Sequence, residues 1–217
     1  IPGVRYALTS NGASVVDLQT GEQLVNQPFK TEDALKIYDI LAGGAGMMSI
    51  FIGGKSYTTR ENAEQHMDMV PENLRTYFRT TRLEVADMHK TLRDHAHEIE
   101  KYSMIYATEA ERDAAWHEVL AACPGMELTS SLPCNMEINA PGVTKGSGLM
   151  ALARTLGLTR AQVMAVGDSG NDCAMIEAAG LGVAMGNATD DIKKIADVTT
   201  DDNNHDGVAA AIENYVL

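Results

Sequence analysis

The feature that most constrains the fold is the strict alternation of helix and strand patterns after Gly142. Short apolar runs over residues 163–166 and 181–184 have the length and composition of buried strands. Apolar residues at helical spacing surround these runs, first over residues 147–156 and last over residues 207–215, where Asp206 is the expected N-cap. Such alternation predicts a parallel sheet covered by helices, which is an α/β fold.

The stretch before Gly142 has a different pattern and predicts an α+β module. Two hairpins are expected, one joining residues 14–17 to 23–27 and one joining residues 48–52 to 56–59, because each has a glycine-containing turn. The other predicted elements are a helix that starts after Thr31, a polar helical region over 71–97, a strand over 102–106, a helix over 109–122 and a strand over 136–138.

Composition limits the classes of partner. Seventeen basic and thirty acidic residues give a net charge of −13, which is the wrong sign for binding a phosphate backbone. No apolar run approaches the roughly 20 residues of a membrane helix. Three cysteines without a CxxC pair suggest neither a disulfide framework nor a zinc site, and fit a reducing cytoplasm. We therefore expect a cytoplasmic monomer or weak homo-oligomer that binds neither nucleic acid nor membranes.

A loop after the run at residues 163–166 concentrates polar side chains. Asp168, Asn171 and Asp172 follow the predicted strand at spacings of i, i+3 and i+4. Open α/β sheets bind ligands at the carboxyl ends of their strands, so these oxygens are expected to converge on Mg²⁺ or on a phosphate with its metal. The alternative is that Asp168 and Asp172 only cap the helix starting at Cys173.

A second loop, Gly142-Val143-Thr144-Lys145-Gly146, stands directly before the helix over residues 147–156. A lysine between glycines at a helix start can direct its ammonium to the space that the backbone N–H groups face, which favours anion binding. A solvated lysine at a helix end is the simpler alternative for this loop alone. In combination with the Asp168 loop, Lys145 predicts a phosphate site.

These two loops, in this order, resemble the haloacid dehalogenase (HAD) phosphohydrolases, and specifically the Cof-type subfamily with an inserted α+β cap. Residues 142–146 resemble the family's third motif, and residues 167–172 with Met175 resemble the fourth. Thr9-Ser10-Asn11-Gly12-Ala13 resembles the segment that leads into the cap, and residues 182–209 follow the subfamily's usual ending.

The resemblance implies a fold and a domain organisation. The expected core is a three-layer, Rossmann-like α/β domain with a parallel sheet, formed by residues 1–13 and 141–217. Residues 14–140 would form the inserted α+β cap that determines substrate specificity.

The resemblance also implies a Mg²⁺-dependent reaction in which an aspartate attacks the phosphoryl group and forms an aspartyl-phosphate. Lys145 would neutralise the phosphoryl oxygens, Asp168 would bind Mg²⁺, and Asn171 would contact the phosphoryl group. Asp172 would support either the metal or Lys145. Asn11 would join Lys145 and Asn171 in binding the substrate.

The resemblance is incomplete at the N-terminus, where the family carries an Asp-x-Asp motif for nucleophile and acid/base and a second motif with Thr or Ser. Neither motif is present in this sequence. The nearest match, Asp17-Leu18-Gln19, has Gln in place of the acid/base and is better interpreted as part of a hairpin turn. The family places the absent strand at the centre of the sheet, so we expect a gap there and a fragment of a longer protein.

Other reactive side chains have simpler interpretations. His95 and His97 lie at i and i+2, so on one helix they would face different directions and not share a metal. His66 lies near methionines typical of core filling, and His205 lies in an acidic loop typical of solvated turns. Cys173 lies beside acids at a helix start and is expected to be a packed residue.

The sequence therefore predicts a cytoplasmic, Mg²⁺-dependent phosphatase of small phosphorylated metabolites, with sugar phosphates as the expected class and the nucleophile upstream of Ile1. A phosphomutase of the same superfamily is an alternative enzyme, since a related cap occurs in phosphomannomutases. A module that only binds phosphate ligands is an alternative from a different class, since the nucleophile is missing.

Overall fold

The computed structural model describes residues 3–217, and these divide into two compact units. The first unit comprises the chain up to Val25 together with Val143–Leu217, and the second is Asn26–Gly142. The sequence places the first boundary at 13/14 instead, which differs because residues 14–25 pair with the strand before them. Ile1 and Pro2, which the predicted core range includes, lie outside the described residues.

The first unit begins with a small antiparallel sheet of β1 (Tyr6–Thr9), β2 (Ser14–Asp17) and β3 (Gln23–Asn26). Asp17, at the end of β2, accepts a hydrogen bond from the backbone N–H of Gln19 at 2.8 Å and forms an ion pair with Arg5 at 3.0 Å. The Asp17 carboxylate is therefore used in a hairpin turn, as the sequence indicated.

The second unit is an α+β arrangement around one mixed sheet. Its elements in chain order are α1 (Thr31–Leu41), β4 (Met47–Ile52), β5 (Lys55–Thr59), α2 (Arg60–His66), α3 (Glu72–Thr81), β6 (Arg82–Val85), α4 (Met88–His95), β7 (Ile99–Ile105), α5 (Glu109–Ala122), β8 (Glu127–Thr129) and β9 (Asn135–Asn139). The strand order is β6-β5-β4-β7-β9-β8, with β5 and β6 parallel and the other neighbours antiparallel.

Two kinds of packing close this unit. On one face of the sheet, the buried Tyr102 ring lies 5.6 Å from Phe29, and its hydroxyl donates to the carbonyl of Ala34 in α1 at 2.6 Å. On the opposite face, Met47 and Ile105 pack with apolar residues of the α2–α3 region, chiefly Met67, Val70 and Phe78. Burying these side chains removes apolar surface from water, which stabilises the unit.

The predicted polar helical region over residues 71–97 is wrong in one respect. The chain leaves α3 at Thr81, forms β6 alongside β5, and only then begins α4. The hydrogen-bonding partner of β6 lies about two dozen residues earlier in the chain, and the four residues of β6 are too few for their own alternation to reveal the strand.

The first unit resumes with alternating helices and strands, as the sequence predicted. The elements are α6 (Lys145–Thr155), β10 (Met164–Gly167), α7 (Cys173–Ala178), β11 (Leu181–Ala184), α8 (Asp190–Ile195), β12 (Val198–Thr199) and α9 (Gly207–Tyr215). Strands β10, β11 and β12 are parallel neighbours in that order. The unit is thus the α/β, Rossmann-like layer arrangement expected of the core, with an α+β unit inserted into it.

Asp206 departs from its predicted capping role. It occupies the N-cap position of α9, but its backbone is left-handed, with φ of 54°, and its side chain makes no capping hydrogen bond. Within the part of the chain that the structure describes, no helix has both the length and the apolarity to cross a membrane.

Candidate functional site

Asp172 is a buried carboxylate, with only 4% of its surface exposed, in the turn between β10 and α7. One oxygen, Oδ2, accepts hydrogen bonds from the backbone N–H groups of Asp168 at 3.0 Å and Ser169 at 3.2 Å. The other oxygen, Oδ1, lies 2.6 Å from Nζ of Lys145. The side chain forms no capping bond to α7, so the capping alternative does not describe Asp172.

The pKa of Asp172 reflects a competition between burial and hydrogen bonding. Burial raises the pKa of a carboxyl, but the hydrogen bond from Lys145 and the N–H groups of Asp168 and Ser169 outweigh it, so the pKa lies below its usual range. The group is therefore a carboxylate at neutral pH, and it holds the Lys145 ammonium in place.

Lys145 begins α6, directly after Thr144, whose hydroxyl accepts from the backbone N–H of Ser147 and caps the helix. Its Nζ donates to Oδ1 of Asp172 and, at 3.0 Å, to Oδ1 of Asn171. A lysine ammonium has three donors, so these acceptors leave one donor for a further oxygen. The side chain is 25% exposed, which gives a ligand access to that donor.

The close approach of α6 to α7 brings Lys145 within reach of Asp172. A Cβ atom on Gly146 would lie 2.2 Å from the carbonyl oxygen of Ala174, a distance that no side chain tolerates. Gly146 therefore permits the starts of the two helices to approach each other. The sequence pattern did not reveal this role in packing.

Asn171 is oriented by two donors. Its Oδ1 accepts from Nζ of Lys145 and from the hydroxyl of Ser169 at 2.9 Å. Because both bonds use the amide oxygen, the amide NH₂ remains able to donate to an oxygen of a ligand. Ser169 is a functional candidate that the sequence interpretation missed, because the motif gave it no role of its own.

Asp168 follows β10 and is exposed. Its Oδ2 accepts from the side-chain amide of Asn187 at 3.2 Å, and its carbonyl accepts from the N–H of Thr189 at 3.1 Å. The oxygen of the Asn187 amide in turn accepts from the N–H of Asn203. Asn187 was also missed; its position in the turn after β11, beside the carboxyl end of β10, was the available signal.

The donor set around Asp168 fits a magnesium ion. Mg²⁺ binds oxygen ligands and commonly takes one or two protein carboxylates while water and substrate oxygens complete its shell. Asp168 offers an exposed carboxylate, whereas Asp172 is occupied by Lys145. Among residues 3–217, no group of three His, Cys, Asp or Glu side chains is close enough to hold a metal.

The loop that contains Asn11 packs against the start of α6. Ser10, Asn11 and Gly12 all have positive φ values, of 51°, 55° and 96°. A Cβ on Gly12 would lie 2.1 Å from the carbonyl oxygen of Thr144, so only glycine allows this approach. Asn11 is buried on the same side of the unit as α6, and its role in substrate binding stays a prediction.

The remaining candidates have local roles. His95 ends α4, so His97 lies in the following turn, and both imidazoles contact the carboxylate of Glu98, at 2.8 and 3.3 Å. The prediction that they lie on one helix and face apart was therefore wrong. His205 contacts Asp202 at 2.6 Å. Burial, with the nearby Glu177, raises the pKa of the Cys173 thiol, which disfavours a nucleophilic thiolate.

Comparison with known proteins follows this geometry. Residues 3–212 match a family model described as haloacid dehalogenase-like hydrolase. The chain is 31% identical over 215 residues to the putative phosphatase M6_Spy0533 of Streptococcus pyogenes serotype M6, covering 98% of this chain and 76% of that protein. A solved haloacid dehalogenase-like hydrolase from B. subtilis has a TM-score of 0.80 and 28% identity, covering 99% of this chain and 81% of that one.

A shorter match is more similar in sequence. Over 92 residues the chain is 54% identical to the Bacillus subtilis 5-amino-6-(5-phospho-D-ribitylamino)uracil phosphatase YcsE. This match covers 42% of the chain but only 37% of that protein's length. The chain is therefore aligned with little more than a third of this relative, and with 76% of the Streptococcus pyogenes protein.

Proposed function

We propose that this chain, which belongs to the haloacid dehalogenase-like hydrolases, is part of a phosphatase and that its first unit binds the phosphoryl group of a small phosphomonoester. The observation that carries the proposal is the Lys145 ammonium, held between the oxygens of Asn171 and Asp172 beside the exposed Asp168 carboxylate. A fixed cation next to a carboxylate that can take a metal is what a phosphoryl group, with two negative charges, requires.

Each side chain has a distinct role in this proposal. The remaining N–H of Lys145 donates to a non-bridging phosphoryl oxygen and stabilises the charge that grows on it during transfer. The amide NH₂ of Asn171 donates to a second oxygen. Asp172 is a positioning residue that keeps Lys145 charged and aimed, and Asn11 contacts the substrate from the neighbouring loop.

Asp168 would hold the Mg²⁺ ion, with Asn187 fixing the carboxylate through its 3.2 Å hydrogen bond. When bound, the ion supplies positive charge that neutralises the phosphoryl oxygens and orients the group. Asp168 is the exposed carboxylate of this loop, so replacing it by Ala should weaken or remove metal binding.

We place the nucleophile on a segment that precedes Ile1. No Asp-x-Asp tripeptide occurs in the sequence, and β10 is an edge strand of its sheet among the described residues. An aspartate delivered beside β10 would attack phosphorus, expel the alcohol and form an aspartyl-phosphate, and water would then release inorganic phosphate. The family's two-step route thus needs the residues present here and two that come from upstream.

For the substrate we propose a sugar or polyol phosphate, selected by the second unit acting as a cap. The proposal is supported by two relatives whose names specify a phosphoribityl compound, of which one is 54% identical over its 92 matched residues. We place the reaction in the cytoplasm, which is supported by the three cysteines, all of them free thiols.

The test uses a protein that includes the residues preceding Ile1. Phosphate release from ribitol 5-phosphate and from an aryl phosphate is measured with Mg²⁺ and with chelator, for the parent, Asp168→Ala and the exposed control Asp191→Ala. We expect release that depends on Mg²⁺, disappears in Asp168→Ala and persists in Asp191→Ala.

Two alternatives have their own outcomes in that assay. Transfer of the phosphoryl group to a second sugar, with little inorganic phosphate, would indicate a phosphomutase. Saturable binding of the sugar phosphate without any turnover would reject the hydrolase proposal and leave a binding module.

A further inference from the structure

The second unit contains a cavity of about 460 Å³ beside strands β5 and β6. Its lining includes Phe51, Lys55, Ser56, Tyr77 and Arg82. None of these residues belongs to the phosphoryl site described above, and all lie within Asn26–Gly142. The cavity is therefore a property of the second unit by itself.

Two polar atoms in this lining are buried and have no protein partner among residues 3–217. They are the hydroxyl oxygen of Ser56 and Nε of Arg82. Ser56 is 94% buried, being 6% exposed, and the two residues lie directly opposite each other in the parallel pairing of β5 with β6. A buried donor is normally satisfied, so two adjacent unsatisfied donors at one cavity indicate a place for an acceptor.

The Arg82 guanidinium is held in a fixed orientation. Its Cζ atom lies 3.6 Å from the centroid of the Phe78 ring and 5.5 Å from that of Tyr77, and Nη1 donates to the hydroxyl of Thr81 at 2.9 Å. Stacking on aromatic rings restricts the guanidinium plane without using its edge. The Nε–H edge is thereby kept ready for a planar or tetrahedral oxyanion.

Charge at the cavity also favours an anion. Two cations, Lys55 and Arg82, line it, and no carboxylate does, although the chain carries thirteen more acidic than basic charges. Glu137, whose charge acts on Arg82, makes its ion pair with Lys101 at 2.8 Å, and Glu84 pairs with Arg60 at 2.8 Å. Burial lowers the pKa of Arg82 below its usual range, although Tyr77 and Glu137 oppose this shift.

We propose that this cavity is a binding site for a small aromatic oxyanion, with its carboxylate or phosphate group on the Arg82 Nε–H and the Ser56 hydroxyl. The ring of the ligand would pack against Phe51 and Tyr77, whose side chains form the apolar part of the lining. This inference is independent of the proposed function, because it involves no residue of the phosphoryl site.

The experiment follows the Arg82 Nε–H signal in ¹⁵N-edited NMR spectra of the whole chain. The signal is assigned by its disappearance in Arg82→Lys. Sodium benzoate and phenylphosphonate are titrated separately, since the two probes share a ring and differ in their oxyanion. We expect the Arg82 signal to shift and saturate with one or both probes, while the signal of the exposed Arg93 stays still.

Ser56→Ala is the second variant, and its melting temperature shows whether the unit remains folded. We expect saturation to require at least about threefold more probe in Ser56→Ala, because one of two donors is lost. A stationary Arg82 signal, or a linear drift equal to that of Arg93 with both probes, would overturn the proposal. An unchanged midpoint in Ser56→Ala would reject the two-donor site. The probe that saturates first identifies the carboxylate or phosphate class.

Discussion

Each unit contains a lysine paired with a largely buried carboxylate, and the two lysines differ in their exposure. In the first unit, Lys145 contacts Asp172 at 2.6 Å and keeps 25% of its side chain exposed. In the second, Lys101 contacts Glu137 at 2.8 Å, and both side chains are about nine-tenths buried. The ammonium of Lys101 also lies 4.4 Å over the Phe51 ring.

The difference in exposure indicates which of the two ammonium groups a ligand can reach. Asp172 accepts hydrogen bonds from two backbone N–H groups as well as from Lys145. The protein therefore stabilises the carboxylate charge, while the ammonium of Lys145 keeps contact with solvent. Lys101 is enclosed by its sheet, and its pair with Glu137 serves the structure of the unit. A charged pair at the end of a parallel strand is thus suited to binding, and one in the middle of a sheet to internal neutralisation.

Lys145→Ala should give the largest effect, because it removes the ammonium group that we place at the phosphoryl oxygens. In the protein that includes the nucleophile, we expect kcat for phosphate release to fall by about 1000-fold, which corresponds to about 4 kcal/mol of transition-state stabilisation. The free energy of unfolding should fall by only about 1 kcal/mol, because the N–H groups of Asp168 and Ser169 still bind Asp172. Lys194→Ala, at a lysine that is 72% exposed, is the matched control for charge. Comparable kcat values for the two variants would contradict the proposed role.

Lys101→Met should instead lower the stability of the protein. Removing Lys101 deletes the 2.8 Å ion pair of the buried Glu137 carboxylate, so we expect the free energy of unfolding to fall by about 3 kcal/mol in urea denaturation. Lys90→Met, which removes an exposed pair with Asp94, should cost less than about 1 kcal/mol. The double variant Lys101→Met/Glu137→Leu should recover part of the loss; if it is less stable than Lys101→Met, charge neutralisation is not the reason for the pair.

The contribution of Asp172 to the free energy of unfolding should depend on pH. The folded-state pKa of Asp172 is lowered from 3.8, so its stabilisation is complete above the unfolded value and is lost as pH falls through the lowered folded value. We expect Asp172→Asn to be about 1.5 kcal/mol less stable than the parent at neutral pH, with the gap closing from about pH 4 downward. Urea titrations at several pH values measure it, with Asp191→Asn as the exposed control. A gap that stays constant to pH 2 would refute the assignment.

Ser169→Ala should give the smallest effect. The hydroxyl orients the Asn171 amide through a hydrogen bond of 2.9 Å and makes a longer one, of 3.5 Å, to Oδ2 of Asp172, so we expect kcat to fall about threefold to tenfold, which is about 1 kcal/mol. Ser169→Thr retains the hydroxyl and should restore most of the rate. A rate in Ser169→Ala equal to that of the parent would show that Lys145 alone orients Asn171.

Elements built from local signals were predictable from the sequence. The helix α5 has the predicted bounds, Glu109–Ala122, because Thr108 and Glu111 form a capping box around an unbroken helical segment. The α/β alternation after Gly142 was predicted for the same reason, since each strand and helix carries its own period of apolar residues. Strand β6, by contrast, is only four residues long, Arg82–Val85, so its alternation of polar and apolar residues is too short a signal, and its pairing with β5 is what identifies it as a strand.

The sequence alone indicates the α/β class, the inserted α+β unit and the residue types of the proposed phosphoryl site. Asp168, Asn171 and Asp172 are adjacent in the chain, and the loop with Lys145 precedes them by about two dozen residues, so their motifs are short and readable. Only the tertiary structure decided that Asp172 holds Lys145, that Asn187 holds Asp168, and that Ser56 and Arg82 share a cavity. The physical reason is that these contacts join segments that only strand pairing and close helix packing bring together, and no local period in the sequence records such distances.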